Sequence, residues 1–249
     1  MPVGAWTGSA LVTGASRGVG AALVRRLAAL GLTVHAVARD AEALARLRGE
    51  TGCTVHAVDL TDASALARLG ELDVEVLVNN AGLIAGLGRL DRIGAEEVDR
   101  MIDLNLRVPL QLARLLLPGM VARGGGHVVN VGSLVASSVF PGTAPYAAAK
   151  AGLSMAGRVL RYDLAGTGVR VTEVAPGRIE TDIYVAAMGG DRDQVRERLF
   201  GRHAALKPED VAEAVMTAVT APPHVDLSYV EVVPTDQAPG GAVYAERRD

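Results

Sequence analysis

Ser9-Ala-Leu-Val-Thr13 runs without a break into Gly14-Ala-Ser-Arg-Gly18-Val-Gly20, and Ala21 to Leu30 follows with apolar residues at Leu23, Leu27 and Leu30 before Gly31 stops the run. A short apolar strand, a glycine-rich turn and an amphipathic helix in that order constrain the chain strongly. The glycines let backbone approach a pyrophosphate, and the helix N-terminus offers it amide donors and a positive dipole end. A glycine cluster alone is an ordinary tight turn; the flanking strand and helix make Gly14, Ser16, Arg17, Gly18, Val19 and Gly20 a candidate nucleotide cradle.

The same alternation continues. Strands are expected at 33–38, 53–58, 74–78, 127–131, 169–174 and 228–233, with helices at 41–48, 95–123, 145–165 and 208–219 between them. The 61–70 stretch leaves room only for a short helix. The 95–123 helix should be interrupted near Asn105 and Pro109, and mid-helix Asn is unfavourable unless the helix is distorted or the amide has a task. Residues 182–206 read as a mobile segment with a helix inside, and the Gly- and Pro-rich 235–249 tail as partly disordered. Alternating strands and helices imply an α/β fold: a Rossmann-like, doubly wound, seven-stranded parallel sheet with helices on both faces. No linker or repeat divides the 249 residues, so a single domain is expected.

In such a sheet the carboxyl ends of the strands share one edge, where ligands bind. The residues just beyond each strand therefore belong to one site. After the second strand comes Ala38-Arg39, where an NAD site would hold an acid; Arg39, helped by Arg17, can instead pair with a 2′-phosphate. The cofactor indicated is NADP(H). Asp40 reads as a helix N-cap. After the third strand, Asp59-Leu60 offers a carboxylate to an adenine amine. After the fourth, Asn79-Asn80-Ala81-Gly82 can brace a neighbouring strand and let a cofactor lie against backbone, unless it is simply a turn. Gly132-Ser133 and Pro176-Gly177-Arg178-Ile179-Glu180-Thr181 come after the fifth and sixth.

Tyr146 and Lys150 stand four apart in an alanine-rich helix, hence on one face. A fixed ammonium near a phenol favours the phenolate, so the pair can make a phenolic acid/base, although a solvated surface pair has the same spacing. Of 25 Lys and Arg, only residues 150 and 207 are Lys, so Lys150 is the exception to this chain's use of Arg.

These motifs together resemble the short-chain dehydrogenase/reductase family over nearly the whole chain. Residues 202–237 look most like its branch containing clavulanate-pathway aldehyde reductase and serine/3-hydroxy-acid dehydrogenases. The resemblance implies that Tyr146 exchanges a proton with a carbonyl or alcohol oxygen and that Ser133 hydrogen-bonds that oxygen. It implies that Lys150 lowers the tyrosine pKa and binds the nicotinamide ribose, and that Asn105 holds a water leading to solvent. Pro176, Gly177, Ile179 and Thr181 would bind the carboxamide, and Asn80, Ala81 and Gly82 would contact the cofactor. The substrate is expected to be a small carbonyl or alcohol, walled by Leu134, Val139, Phe140, Tyr184 and Met188. Arg178 either meets a substrate carboxylate or is solvated. Alternatives are a 3-oxoacyl-thioester reductase using Arg89, Arg92 or Arg123 for a carrier protein, and a non-catalytic NADP-binding regulator. A homodimer or homotetramer paired through the two long helices is expected.

Net charge is −3 without a basic block, which argues against nucleic acid or an anionic membrane surface. No run reaches membrane-spanning length, the histidines lack ligand spacing, and the lone Cys53 excludes an intrachain disulfide. A cytoplasmic, metal-free enzyme is expected. The Arg- and Ala-rich composition suggests a GC-rich bacterial source and secondary metabolism.

Overall fold

The computed structural model describes residues 6–200 and 204–237. Seven parallel strands run β3-β2-β1-β4-β5-β6-β7 across one sheet. Along the chain these are β1 (Ser9–Thr13), β2 (Thr33–Ala38), β3 (Thr54–Ala57), β4 (Val76–Asn79), β5 (Gly126–Val131), β6 (Val169–Pro176) and β7 (Tyr229–Val232). The helices are α1 (Gly18–Ala29), α2 (Ala41–Thr51), α3 (Ala63–Leu69), α4 (Ala95–Ile102), α5 (Val108–Arg123), α6 (Ala144–Asp163), α7 (Arg192–Phe200) and α8 (Pro208–Thr220). The order reverses between β1 and β4, which opens a crevice at their carboxyl ends.

Both faces of the sheet are covered, and that is why the central strands are nearly continuous apolar runs. Ala10 and Val12 point to a layer with Leu23 and Leu27 of α1 and Val211 and Val215 of α8. Leu11 and Leu77 point the other way, to Leu112, Leu116 and Met120 of α5. All five residues of β1 are buried, so the strand leading into the glycine turn is held on both faces.

The helix expected over 95–123 is split. Asp103–Arg107 forms a π-helical turn around Asn105, and Pro109 follows it in the first turn of α5. Both alternatives for Asn105 are realised: the helix is distorted, and the amide bonds the backbone that the distortion exposes. β6 runs two residues beyond its expected end because Pro176 still pairs with Val232.

Residues 201–203 and 238–249 lie outside the described residues. The expectation of a partly disordered tail fails at its start. Asp236 and Gln237 are buried, the former accepting from Ala204 N (3.1 Å) and the latter from Arg178 N (3.1 Å). Two buried, hydrogen-bonded side chains fasten this stretch beside the end of β6.

Candidate active site

The turn after β1 permits no side chains at two points. Gly14 has φ +67°, and a Cβ there would lie 2.9 Å from Ala81 Cα; a Cβ on Gly20 would lie 2.2 Å from the Gly14 carbonyl oxygen. Asn80 Nδ2 donates to Thr13 O (2.8 Å), and the Asn80 and Ala81 amides both donate to Thr13 Oγ1 (3.0 Å), so β4 clamps the turn. Asn79 Nδ2 donates to Asn130 Oδ1 (2.9 Å), tying β4 to β5. The first turn of α1 has no acidic residue and its N-cap, Arg17, makes no side-chain cap. Its amides and positive dipole end face a cleft of about 730 Å³ bordered also by Ser16, Gly18 and Val19.

Arg39 stands exposed on this cleft at the end of β2. Asp40 is the α2 N-cap, with Oδ1 accepting from Ala43 N at 2.9 Å, so it is committed away from a ribose. Asp59 accepts from the amide (2.9 Å) and hydroxyl (2.8 Å) of Thr61. Those bonds, with the charges of Arg39 and Arg100, hold its carboxyl below the usual range. Leu60 also lines this end, with its side chain in the α5 layer. Arg100 was not foreseen: it comes from α4, and nothing local in the sequence ties it to Asp59. Arg17 lies 4.0 Å from Asp182, which also receives Arg192 at 2.7 Å.

At the other end the four candidate catalytic residues meet. Ser133 follows β5, Tyr146 and Lys150 project from α6, and Asn105 comes from the π turn. Tyr146 and Lys150 are 7% and 4% exposed. Ser133 and Tyr146 hydrogen-bond through their side chains. Lys150 Nζ donates to the Val131 carbonyl (2.8 Å) and stands 5.9 Å from the Tyr146 ring centroid. Burial above all, then Tyr184, holds the Tyr146 phenol well above its ordinary pKa, while the Ser133 bond acts the other way. The expectation that Lys150 lowers the Tyr146 pKa is therefore corrected: desolvation wins, and the lysine is drawn to a main-chain carbonyl. Burial pushes Lys150 itself down to about 8, against an opposing pull from Glu173.

Asn105 is fully buried. Its Nδ2 donates to Leu83 O and Met101 O, both at 2.8 Å, and its Oδ1 accepts from Leu83 N at 3.2 Å. Both amide hydrogens are spent on backbone, so a water bound to this side chain must act as donor. Gly82 is where this residue and the lysine converge, since a Cβ there would sit 3.1 Å from Asn105 Oδ1 and 3.9 Å from Lys150 Nζ.

Pro176, Gly177, Ile179 and Thr181 border the cleft opposite the glycine turn. A Cβ on Gly177 would lie 2.4 Å from Gln237 Oε1. Arg178 Nη1 donates to Leu199 O (2.7 Å), which ties the end of α7 to the loop after β6. The apolar wall also differs. Leu134 is 1% exposed, turned inward by a 3₁₀ turn, and Val139 is 87% exposed. The cleft is walled by Leu83, Ile183 and Tyr184 instead of Leu134, Val139, Phe140 and Met188. Among the described residues no group of His, Cys, Asp or Glu could hold a metal ion.

A glycine-cradled cleft at the carboxyl edge of a doubly wound sheet, with Ser, Tyr and Lys at its inner end, defines a Rossmann-type protein. The family described as short chain dehydrogenase matches residues 9–188, and the chain belongs to it. A Sinorhizobium fredii protein described as an uncharacterised short-chain type dehydrogenase/reductase is 39% identical over 234 residues, 94% of each chain. The NADP-dependent 3-hydroxy acid dehydrogenase of Escherichia coli (strain K12) is 36% identical over 241 residues, 93% of this chain and 96% of that one. The closed form of a serine dehydrogenase complexed with NADP+ superposes with TM-score 0.89 at 35% identity, covering 97% of this chain and 100% of that one.

Proposed function

We propose that the chain is an NADP(H)-dependent oxidoreductase interconverting a small carbonyl compound and its alcohol, with Tyr146 as acid/base. The observation that carries this reading is the convergence of Ser133, Tyr146 and Lys150 on the cleft that the glycine turn at Gly14, Ser16 and Gly18 borders. The residues present fit the dinucleotide. Gly14 and Gly20 let the turn pack against β4 so that the amides at the start of α1 face the cleft, Arg39 and Arg17 suit a 2′-phosphate, Asp59 with Leu60 suits the adenine, and Ile179 and Thr181 suit the carboxamide. The NADP+ complex of the serine dehydrogenase and the NADP-dependent name of the hydroxy-acid relative support the choice.

When bound, NADPH supplies the hydride that reduces the carbonyl carbon. Ser133 donates a hydrogen bond to the oxygen as charge develops there, worth about 3–4 kcal/mol for such donors. Tyr146 gives that oxygen its phenolic proton, completing the alcohol. A neutral, desolvated phenol is in the right state for this step. Asn80, Ala81 and Gly82 hold the wall facing the cofactor, and Asn105 fixes that wall by bonding Leu83 on both sides of its peptide unit. A screen of NADPH oxidation over aldehydes, ketones, oxo acids and oxoacyl thioesters tests the assignment; no turnover on any of them overturns it.

Arg39→Asp tests the cofactor. Losing a charge-assisted contact worth about 1.5–3 kcal/mol and adding repulsion should move the NADPH/NADH ratio of kcat/KM by at least about 10-fold toward NADH. An unchanged ratio would show that Arg39 does not read the phosphate.

Self-association belongs to the same reading. Met155, Val159 and Tyr162 are 57%, 50% and 86% exposed at i, i+4, i+7 spacing on α6, an apolar stripe suited to a second copy. Light scattering should give a dimer or tetramer, and Val159→Arg should lower the mass toward a monomer. A wild-type monomer overturns the pairing. Among the described residues no helix is long and apolar enough to cross a membrane.

A further inference from the structure

Glu173 is 4% exposed on β6, beneath the catalytic end of the cleft. Its Oε2 accepts from Ser154 Oγ at 2.7 Å, while its Oε1 is buried without a hydrogen-bond partner. Such a carboxylate is costly unless it offsets a nearby charge. Two details of the backbone show what it faces. Ser154 lies one helical turn after Lys150 on α6, so Glu173 is on the lysine's side of the sheet. A Cβ on Gly132 would lie 2.5 Å from Oε1, so the carboxylate presses on the backbone between Val131, whose carbonyl receives Lys150 Nζ, and Ser133.

The other charged and titratable groups around this spot have their own partners. Tyr146 is on the lysine's helix and bonded to Ser133, with Tyr184 beyond it. Asp103 and Arg107 in the π turn bond each other at 2.6 Å. Tyr229 on β7 pairs in register with Glu173 and bonds Glu231. Arg161 on α6 donates to Val171 O (3.0 Å) and Ser228 O (2.8 Å), and Arg170, the buried cation of β6, is spent on four main-chain carbonyls around the end of α8. That leaves Lys150, buried and bonded to a neutral carbonyl, as the charge Glu173 balances.

We propose that Glu173 is a positioning residue, a fixed negative charge behind the cleft that keeps Lys150 an ammonium and so sustains its hold on the nicotinamide ribose of the cofactor. The burial-driven fall of the Lys150 pKa, which Glu173 alone is seen to oppose, agrees with the geometry. Only what Lys150 serves rests on the reading of the cleft given above; the electrostatic relation does not.

The chain has lysine only at 150 and 207. In protein labelled with [13Cε]lysine and carrying Lys207→Arg, a single resonance reports Lys150, without substrate. Glu173→Gln should shift its titration midpoint acidward by roughly one pH unit, the smaller end of what an opposite charge at close range achieves. Ser154→Ala, which removes the hydrogen bond but keeps the charge, should leave the midpoint in place, as should Glu173→Asp. The alkaline fall of kcat/KM should move acidward with the resonance. A Glu173→Gln midpoint matching wild type overturns the proposal, as does an equal shift in Ser154→Ala. If Glu173→Gln does not fold, Lys150→Met supplies the reciprocal test: the uncompensated carboxylate should take up a proton at neutral pH and show a protonated-carboxyl infrared band, and absence of that band overturns the proposal. A shifted midpoint in an enzyme that reduces no carbonyl would instead overturn the functional reading and leave this one standing.

Discussion

Tyr146→Phe is expected to lower kcat by at least about 10³-fold, within the range that a positioned general acid contributes, while NADPH binding stays within a few-fold. The substitution removes one oxygen and leaves the ring, which packs with Ile84 and Met101, in place. Folding should be little changed, because the lost hydrogen bond to Ser133 is offset by relief of the phenol's desolvation. The comparison of steady-state turnover with fluorescence-monitored NADPH titration therefore separates chemistry from binding. The state of the phenol adds a direction. Burial keeps Tyr146 protonated through neutral pH, so carbonyl reduction in the wild type should be fast there, whereas alcohol oxidation, which needs the phenolate to receive a proton, should speed up as pH rises. Near-normal turnover by Tyr146→Phe would remove Tyr146 from the mechanism and leave the glycine cradle as a binding site only.

That experiment matters because the tyrosine is where sequence reasoning was half right. A spacing of four places Tyr146 and Lys150 on one face, and the structure puts both at the cleft. Spacing carries no information about solvent, however, and desolvation outweighs the lysine. Local signals were legible where local physics decides. The glycine turn, the Asp40 cap, the conflict at Asn105 and the runs of strands buried on both faces all depend on neighbours in sequence. What escaped depends on partners far along the chain. Gln237 reaches Gly177 and Arg178, Arg100 reaches Asp59, and Glu173 sits under Gly132. The wall assigned to Leu134, Val139 and Phe140 failed for a related reason: nearness to Ser133 in sequence says nothing about direction, and one 3₁₀ turn buries Leu134 while Val139 points to solvent.

Gly20→Ala should be nearly as damaging as Tyr146→Phe, through binding instead of chemistry. The added Cβ would lie 2.2 Å from the Gly14 carbonyl oxygen and 2.7 Å from Asn80 Nδ2, two groups held by β1 and β4, so neither can yield as a flexible side-chain tip would. The turn must shift, and with it the amides at the start of α1. Losing two charge-assisted hydrogen bonds to phosphate at about 1.5–3 kcal/mol each predicts at least about 100-fold weaker NADPH binding by calorimetry. Overpacking should also cost about 1–3 kcal/mol of stability. Gly49→Ala is the control: it lies within α2, its Cβ meets nothing within 4 Å, and it should add about 0.5–1 kcal/mol without touching affinity. Wild-type affinity in Gly20→Ala would mean that the turn does not cradle phosphate. The nucleotide reading would then fail at its first element, even with Tyr146 still required for turnover.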